Sequence, residues 1–222
     1  GLLRGIGLAN AIEIAGGPAV PGEESAELRF DDGGSLTMLL GGHSHGQGHE
    51  TVFRQVAASL LGLPPDRVRV LFGDTDQVQH GRGTFGSRTI ATAGHAVHRA
   101  AERIIARGRQ IAAHLLEAAE TDIGFADGSF SVVGTDRRVS LIAVARASFA
   151  QASMPPGSEL GLSAMAMLAP KGPTFPNSVH VCEAEIDPAT GQTQIVAYTV
   201  VDDVGTVINP LQRAATRIEN IA

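Results

Sequence analysis

Gly41-Gly42-His43-Ser44-His45-Gly46-Gln47-Gly48-His49-Glu50-Thr51-Val52-Phe53 is the stretch whose reading decides the fold. It carries the chain from a strand, through a glycine-rich loop, straight into a helix. The strand side is Glu24 to Phe30 and Ser35 to Leu40, joined by the turn residues Asp31-Asp32-Gly33-Gly34, which is a hairpin signal. The helix side starts near Gln47, because Val52, Phe53, Val56, Ala57, Leu60 and Leu61 recur at three- and four-residue spacing and share one face. Gly62 and Pro64 end it. A loop of this kind leaves backbone N–H groups free at the positive end of a helix dipole, which suits an anion such as phosphate.

The pattern recurs downstream. Val68 to Phe72 reads as a short strand, and Gly73-Asp74-Thr75-Asp76 opens a loop lasting to about Thr89. Within it, Gly83-Thr84-Phe85-Gly86-Ser87-Arg88 precedes a long helix whose apolar stripe is Ile90, Ala93, Val97, Ala101, Ile104, Ile105, Gly108, Ile111, Ala112, Leu115 and Ala119. Two such junctions suggest a ligand with more than one phosphate or a long polar body.

Further out, Leu3 to Ile14 reads as a buried strand. Phe130 to Val133 with Arg138 to Val139, and Val179 to Ile186 with Gln194 to Val201, read as hairpins. A short helix is expected over Leu141 to Phe149, a connection over Gln151 to Gly157, and a last helix after Ile208-Asn209-Pro210. Hairpins with crossing helices give an α+β class rather than a doubly wound parallel sheet. One domain over 1–222 is expected. Within it, 1–157 forms a first subdomain holding both loops, and 158–222 starts a second.

Composition narrows the function classes. The chain has 222 residues, 43% of them hydrophobic, and a net charge of −6. No basic block argues for a nucleic-acid partner, and no apolar run reaches the ~18 residues that span a membrane. No signal peptide is visible, and the chain begins at Gly1, which leaves room for an earlier segment. The single cysteine, Cys182, excludes an internal disulfide framework and fits a cytoplasmic setting.

The candidate site residues each admit a plainer reading. Gln47-Gly48-His49 can read a ligand edge, because the amide offers donor and acceptor and Gly48 permits close approach. On spacing alone, a glycine-rich helix start with an exposed histidine explains it better. Thr84, Phe85, Gly86, Ser87 and Arg88 can cradle a pyrophosphate, with Arg88 adding a charge-assisted bond, or form a surface loop. The Walker pattern is absent. His43, His45 and His49 could hold zinc, although Glu50 is expected to cap the helix rather than bind metal. His95 and His98 fit a solvated helix face. Asp74 and Asp76 fit a turn better than an acid–base pair. One of Asp202 and Asp203 is expected to be buried against the Gly205 turn. Cys182 reads as a small core residue.

Taken in order, Leu3-Arg4-Gly5-Ile6-Gly7, Gly46 to Thr51, Gly73 to Asp76, Gly83 to Arg88 and Val201 to Pro210 resemble the molybdopterin-binding large subunit of the xanthine dehydrogenase/aldehyde oxidase family. The nearest branch is the aerobic carbon monoxide dehydrogenase-like large chains. The resemblance implies a molybdenum cofactor-binding fold, and molybdopterin, as the cytosine dinucleotide, carrying molybdenum. It implies cofactor contacts from Gln47, Gly48, His49, Thr84, Phe85, Gly86, Ser87 and Arg88. It also implies hydroxylation with water as oxygen source, and iron–sulfur and flavin partners in other domains or subunits. The family's general-base glutamate lies beyond this chain, so no catalytic residue is expected here. After Leu211 the family's own sequence is replaced by Gln212 to Asn220, so a fragment, inactive alone, is expected. A homo-oligomer is expected too. The rival expectations are a cofactor-free association domain and the zinc protein.

Overall fold

The computed structural model describes residues 1–16, 22–169 and 171–211. In chain order, β1 (Leu3–Ile12) is followed by β2 (Glu24–Phe30), β3 (Leu36–Leu40), α1 (His49–Leu61), β4 (Val68–Phe72) and α2 (Gly94–Leu115). Then come β5 (Ile123–Ala126), β6 (Ser129–Val132), β7 (Arg138–Ser140), α3 (Leu141–Ala147), β8 (Ser163–Leu168), β9 (Asn177–Ile186) and β10 (Thr193–Asp203). The described strands form three sheets in the orders β4-β3-β2-β8, β1-β9-β10 and β5-β6-β7.

The hairpin chemistry holds. Gly34 turns at φ +77° and its N–H donates to the Asp31 carbonyl at 3.0 Å, while Ser35 N–H donates to Asp31 Oδ1 at 2.8 Å. β2 and β3 then pair antiparallel from Phe30↔Leu36 to Ala26↔Leu40. α1 is the crossover that lets β3 and β4 run parallel, Leu36↔Val68 to Leu40↔Phe72. Its C-terminus is closed by Gly62 at φ +61°, as the sequence predicts. The β3–α1–β4 unit therefore puts the loop 41–48 just beyond the carboxyl end of a central strand, where α/β units form crevices.

α1 and α2 cover one face of the four-stranded sheet. Leu28, Leu36, Met38 and Leu40 from the strands pack with Phe53, Ala57 and Leu61 of α1 and Val97, Ile104 and Ile111 of α2. Burial of each large apolar side chain contributes about 1.5–3 kcal/mol, so this layer dominates the stability of the scaffold under the site. α3 is capped by Ser140 Oγ, which accepts from Ala143 N–H at 3.1 Å.

Several expectations are corrected. β1 is a strand but an exposed one: Leu8 and Ile12 are each 72% accessible. It is the edge of a sheet whose faces no other described element covers, so apolar composition did not mean burial. Cys182, in β9, is half-buried there and outside the core cluster. α2 starts through a π-type turn at Thr89–Ala93 and ends at Leu115, leaving Ile90 exposed and Ala119 beyond the helix. β5 and β8 were not foreseen. β8 pairs with β2 and β9 with β1, so strand pairings join segments on either side of residues 157 and 158. The continuation of a last helix past Leu211 lies outside the described residues.

Candidate functional site

The two glycine-rich junctions meet because glycines let their backbones touch. A Cβ built on Gly41 would lie 2.4 Å from Gly81 Cα and 2.0 Å from Glu24 Oε1, and Gly83 N–H donates to the Gly41 carbonyl at 3.3 Å. From that crossing the loops are stitched together. His43 N–H donates to Thr84 Oγ1 at 2.9 Å, and Thr89 Oγ1 lies 2.9 Å from the same hydroxyl oxygen. His49 Nδ1–H donates to the His43 carbonyl at 3.2 Å. His45 N–H donates to Gln47 Oε1, which leaves the Gln47 NH₂ group as the donor for the cleft.

The cleft that results has a volume of about 580 Å³. Gln47, His49 and Val52 come from the first junction, and Thr84 to Ser87, Thr89 and Ile90 from the second. Val204 and Thr206 to Asn209, after β10, form a third wall. Asn209 Nδ2 donates to Gln55 Oε1 at 3.0 Å and ties that wall to α1. The third wall was not among the residues assigned to the site from sequence. Its only signal was the Val201 to Pro210 segment and the Gly205 turn, which bends at φ +67°.

The helix start bears on anion binding. Gly48 is the N-cap of α1 at φ +71° and does not line the cleft. Glu50, expected to cap, instead pairs with Arg54 at 2.5 Å one turn on. The positive end of a helix dipole favours an anion. Phe85 is 50% exposed and presents its ring to the cleft, which supplies a flat apolar surface.

Arg88, expected from sequence to add a charge-assisted bond to phosphate, is turned inward and does not line the cleft. Its side chain is 0% exposed and pairs with Glu24, 1% exposed, at 2.6 Å. It also donates to the carbonyls of Gly83 (3.1 Å), Gly22 (3.0 Å) and Glu23 (3.3 Å). The guanidinium holds the loop from beneath, and a partner carboxylate distant in sequence turned it inward.

The zinc reading finds no ligand set: among the described residues no group of three His, Cys, Asp or Glu side chains is placed to hold a metal ion. His43 and His45 stack at 3.9 Å between ring centroids, while His49 Nδ1 is engaged with a backbone carbonyl. Asp74 accepts from Asp76 N–H at 3.0 Å and from Gln77 Nε2 at 2.5 Å, so it is a turn residue. Asp203 accepts from Gly205 N–H at 3.3 Å but is exposed.

Burial holds the His49 imidazole below its ordinary value of 6.5, against an opposing contribution from the bond to the His43 carbonyl; the neighbouring His45 and His43 lower it further. Its folded-state value is depressed, so the folded protein binds this proton less readily than the unfolded chain. Its contribution to stability is complete above pH 6.5 and is lost as pH falls through the lowered folded value. A histidine-resolved NMR titration should show the His49 midpoint below 6.5; a midpoint at or above 6.5 would contradict the burial seen here.

Known proteins are similar to this chain in sequence and fold. The family model described as the molybdopterin cofactor-binding domain matches residues 1–214. The carbon monoxide dehydrogenase large chain of Hydrogenophaga pseudoflava is 38% identical over 218 residues, which is 94% of this chain and 27% of that protein. The structure of reconstituted CO dehydrogenase from Oligotropha carboxidovorans superposes with a TM-score of 0.87 at 37% identity, over 96% of this chain and 28% of that one. Quinoline 2-oxidoreductase from Pseudomonas putida 86 gives 0.85 at 34% identity, over 97% and 29%. The chain thus spans little more than a quarter of the length of these relatives.

Proposed function

The chain belongs to the molybdopterin cofactor-binding domain family, and from that premise we propose that its cleft holds the pterin and phosphates of a molybdenum cofactor within a molybdenum hydroxylase large chain. One observation carries this reading. Gln47, His49, Thr84, Phe85, Gly86 and Ser87, drawn from two separate loops, converge on one cleft beside the start of α1.

The residues present fit such a group. A built Cβ on Gly83 meets nothing within 4 Å, so a ligand can approach that backbone. The Gln47 amide and the Thr84 and Thr89 hydroxyls supply polar contacts, and Phe85, Ile90 and Val207 supply apolar walls. The start of α1 and the Gly83–Ser87 loop give two places for phosphate, which supports the cytosine dinucleotide form. When bound, the cofactor supplies a molybdenum centre that oxidises substrate with water as the oxygen source. The chain's own residues bind and orient it, and Val52, Phe85 and Ile90 keep water from one side.

Among the described residues, those lining the cleft include no Asp or Glu. We place the general base, the substrate contacts and the iron–sulfur and flavin partners in the rest of the large chain and its complex. The substrate is then an aldehyde, a heteroaromatic ring or carbon monoxide, and this chain alone gives no turnover. A homo-oligomer is supported by the exposed Leu3, Ile6, Leu8 and Ile12 of β1. No described helix is long and apolar enough to cross a membrane, and the cytoplasmic setting rests on the free Cys182.

The test is molybdenum content by elemental analysis with fluorescence of the extracted pterin, on chain purified from a host that makes the cofactor. Both should be present, and Gln47→Ala should lower both about 10-fold, the weight of one or two cleft hydrogen bonds. Protein containing stoichiometric zinc, and neither molybdenum nor pterin, would overturn the reading.

A further inference from the structure

Glu13 is not among the cleft-lining residues, yet its carboxylate accepts from Ser87 Oγ at the cleft's rim. Glu13 directly follows β1 and is anchored on both sides. Its N–H donates to the Pro176 carbonyl at 2.9 Å, and Ala15 exchanges backbone bonds with Thr174 at 2.8 and 2.9 Å. Gly16 N–H then reaches the Gly86 carbonyl at 3.4 Å. The segment 13–16 is therefore a brace between the strand leading into β9 and the loop Gly86-Ser87.

That loop needs a brace. Ser87 sits at φ +49°, and among the described residues only Glu117 and Asp127 share a positive φ without being glycine. Such a conformation is disfavoured for a side chain with a Cβ and persists only where neighbours impose it. The bond to Glu13 is the contact that holds the Ser87 side chain in this geometry.

We propose that Glu13 is a positioning residue for the cofactor loop, fixing Ser87 in its left-handed conformation and setting the polarity of its hydroxyl. A serine hydroxyl has one proton, and a carboxylate can only accept it. With that proton committed to Glu13, Ser87 Oγ turns lone pairs to the cleft. It accepts from an amino or ring N–H of the bound heterocycle and does not donate to phosphate. Phosphate is left to Thr84 and the backbone N–H groups of the junctions. This assignment of ligand polarity rests on the cofactor reading; the bracing of the loop does not.

The experiment separates the two. Amide hydrogen exchange at Arg88, whose N–H donates to the Phe85 carbonyl at 3.3 Å, is followed in cofactor-free chain for wild type, Glu13→Ala and Glu13→Gln. Glu13→Ala should speed exchange about 10-fold, as expected for loss of one charge-assisted bond, and Glu13→Gln, which keeps an acceptor oxygen, should restore most of the protection. Pterin content then follows the same order: wild type and Glu13→Gln retain it and Glu13→Ala loses it. Unchanged exchange in Glu13→Ala, or equal acceleration in both variants, overturns the bracing. Higher pterin content in Glu13→Ala overturns the positioning role, because it marks the carboxylate as a repulsive charge only. Protected exchange with no pterin in any variant leaves the brace standing and removes the cofactor reading.

Discussion

Arg88→Met is expected to destabilise the fold by about 3–5 kcal/mol, the cost of stranding one partner of a buried ion pair. The Glu24 carboxylate, 1% exposed, would lose its one cation among the described residues, and the carbonyls of Gly22, Glu23 and Gly83 would lose a donor each. Water has no ready access, since both side chains of the pair are enclosed. The ring of Phe85 would also lose the guanidinium 5.3 Å from its centroid. Glu24→Gln combined with Arg88→Met should recover a large share, because the double variant buries no unpaired charge. Urea unfolding of the four proteins measures this directly. A loss below about 1 kcal/mol in Arg88→Met would show that the pair is hydrated, contrary to the burial found here.

Gly41→Ala should follow, at about 3 kcal/mol, the top of the range for overpacking. The new methyl carbon would stand 2.0 Å from Glu24 Oε1, 2.4 Å from Gly81 Cα and 2.6 Å from the His80 carbonyl. Two of these are backbone atoms, which cannot rotate away. The loop 80–84 must move off, and with it the Gly83–Gly41 hydrogen bond and the placement of Thr84. The variant should thus lose cofactor retention together with stability. Gly5→Ala, where a Cβ meets nothing within 4 Å, is the matched control and should shift stability by no more than about 0.5 kcal/mol. Equal unfolding midpoints for the two variants would sink the close-packing account.

Much of this was legible in local pattern. The β2–β3 hairpin, α1 and the core of α2 follow from spacing and turn residues, because periods of two and 3.6 are properties of neighbouring residues. The two junctions were legible as ligand-ready loops for the same reason. What failed required distant partners. Arg88 in a glycine-rich loop signals an anion site until Glu24 is seen beneath it. β1 carries apolar residues that signal burial, but whether a sheet is covered depends on elements elsewhere. Ser163 to Leu168 lacks clear alternation, so β8 was invisible until it paired with β2. The third cleft wall had a turn signal at Gly205, but its place beside the two loops is set by where β10 ends.

The pairing of Leu3 with Ile186 at one end of β1 and Ile12 with Asn177 at the other has a consequence for biogenesis. Chains emerge at about 5–20 residues per second, N-terminus first, so β1 waits unpaired until nearly the whole segment has been made. During that interval it is a long apolar strand with both edges open, the form of segment most prone to pair with a neighbouring nascent chain. Glu13 reaches Ser87 only after β9 has arrived to anchor it. On the proposed reading, cofactor insertion follows the synthesis of β9, and a host that supplies holdase chaperones should raise the yield of loaded protein.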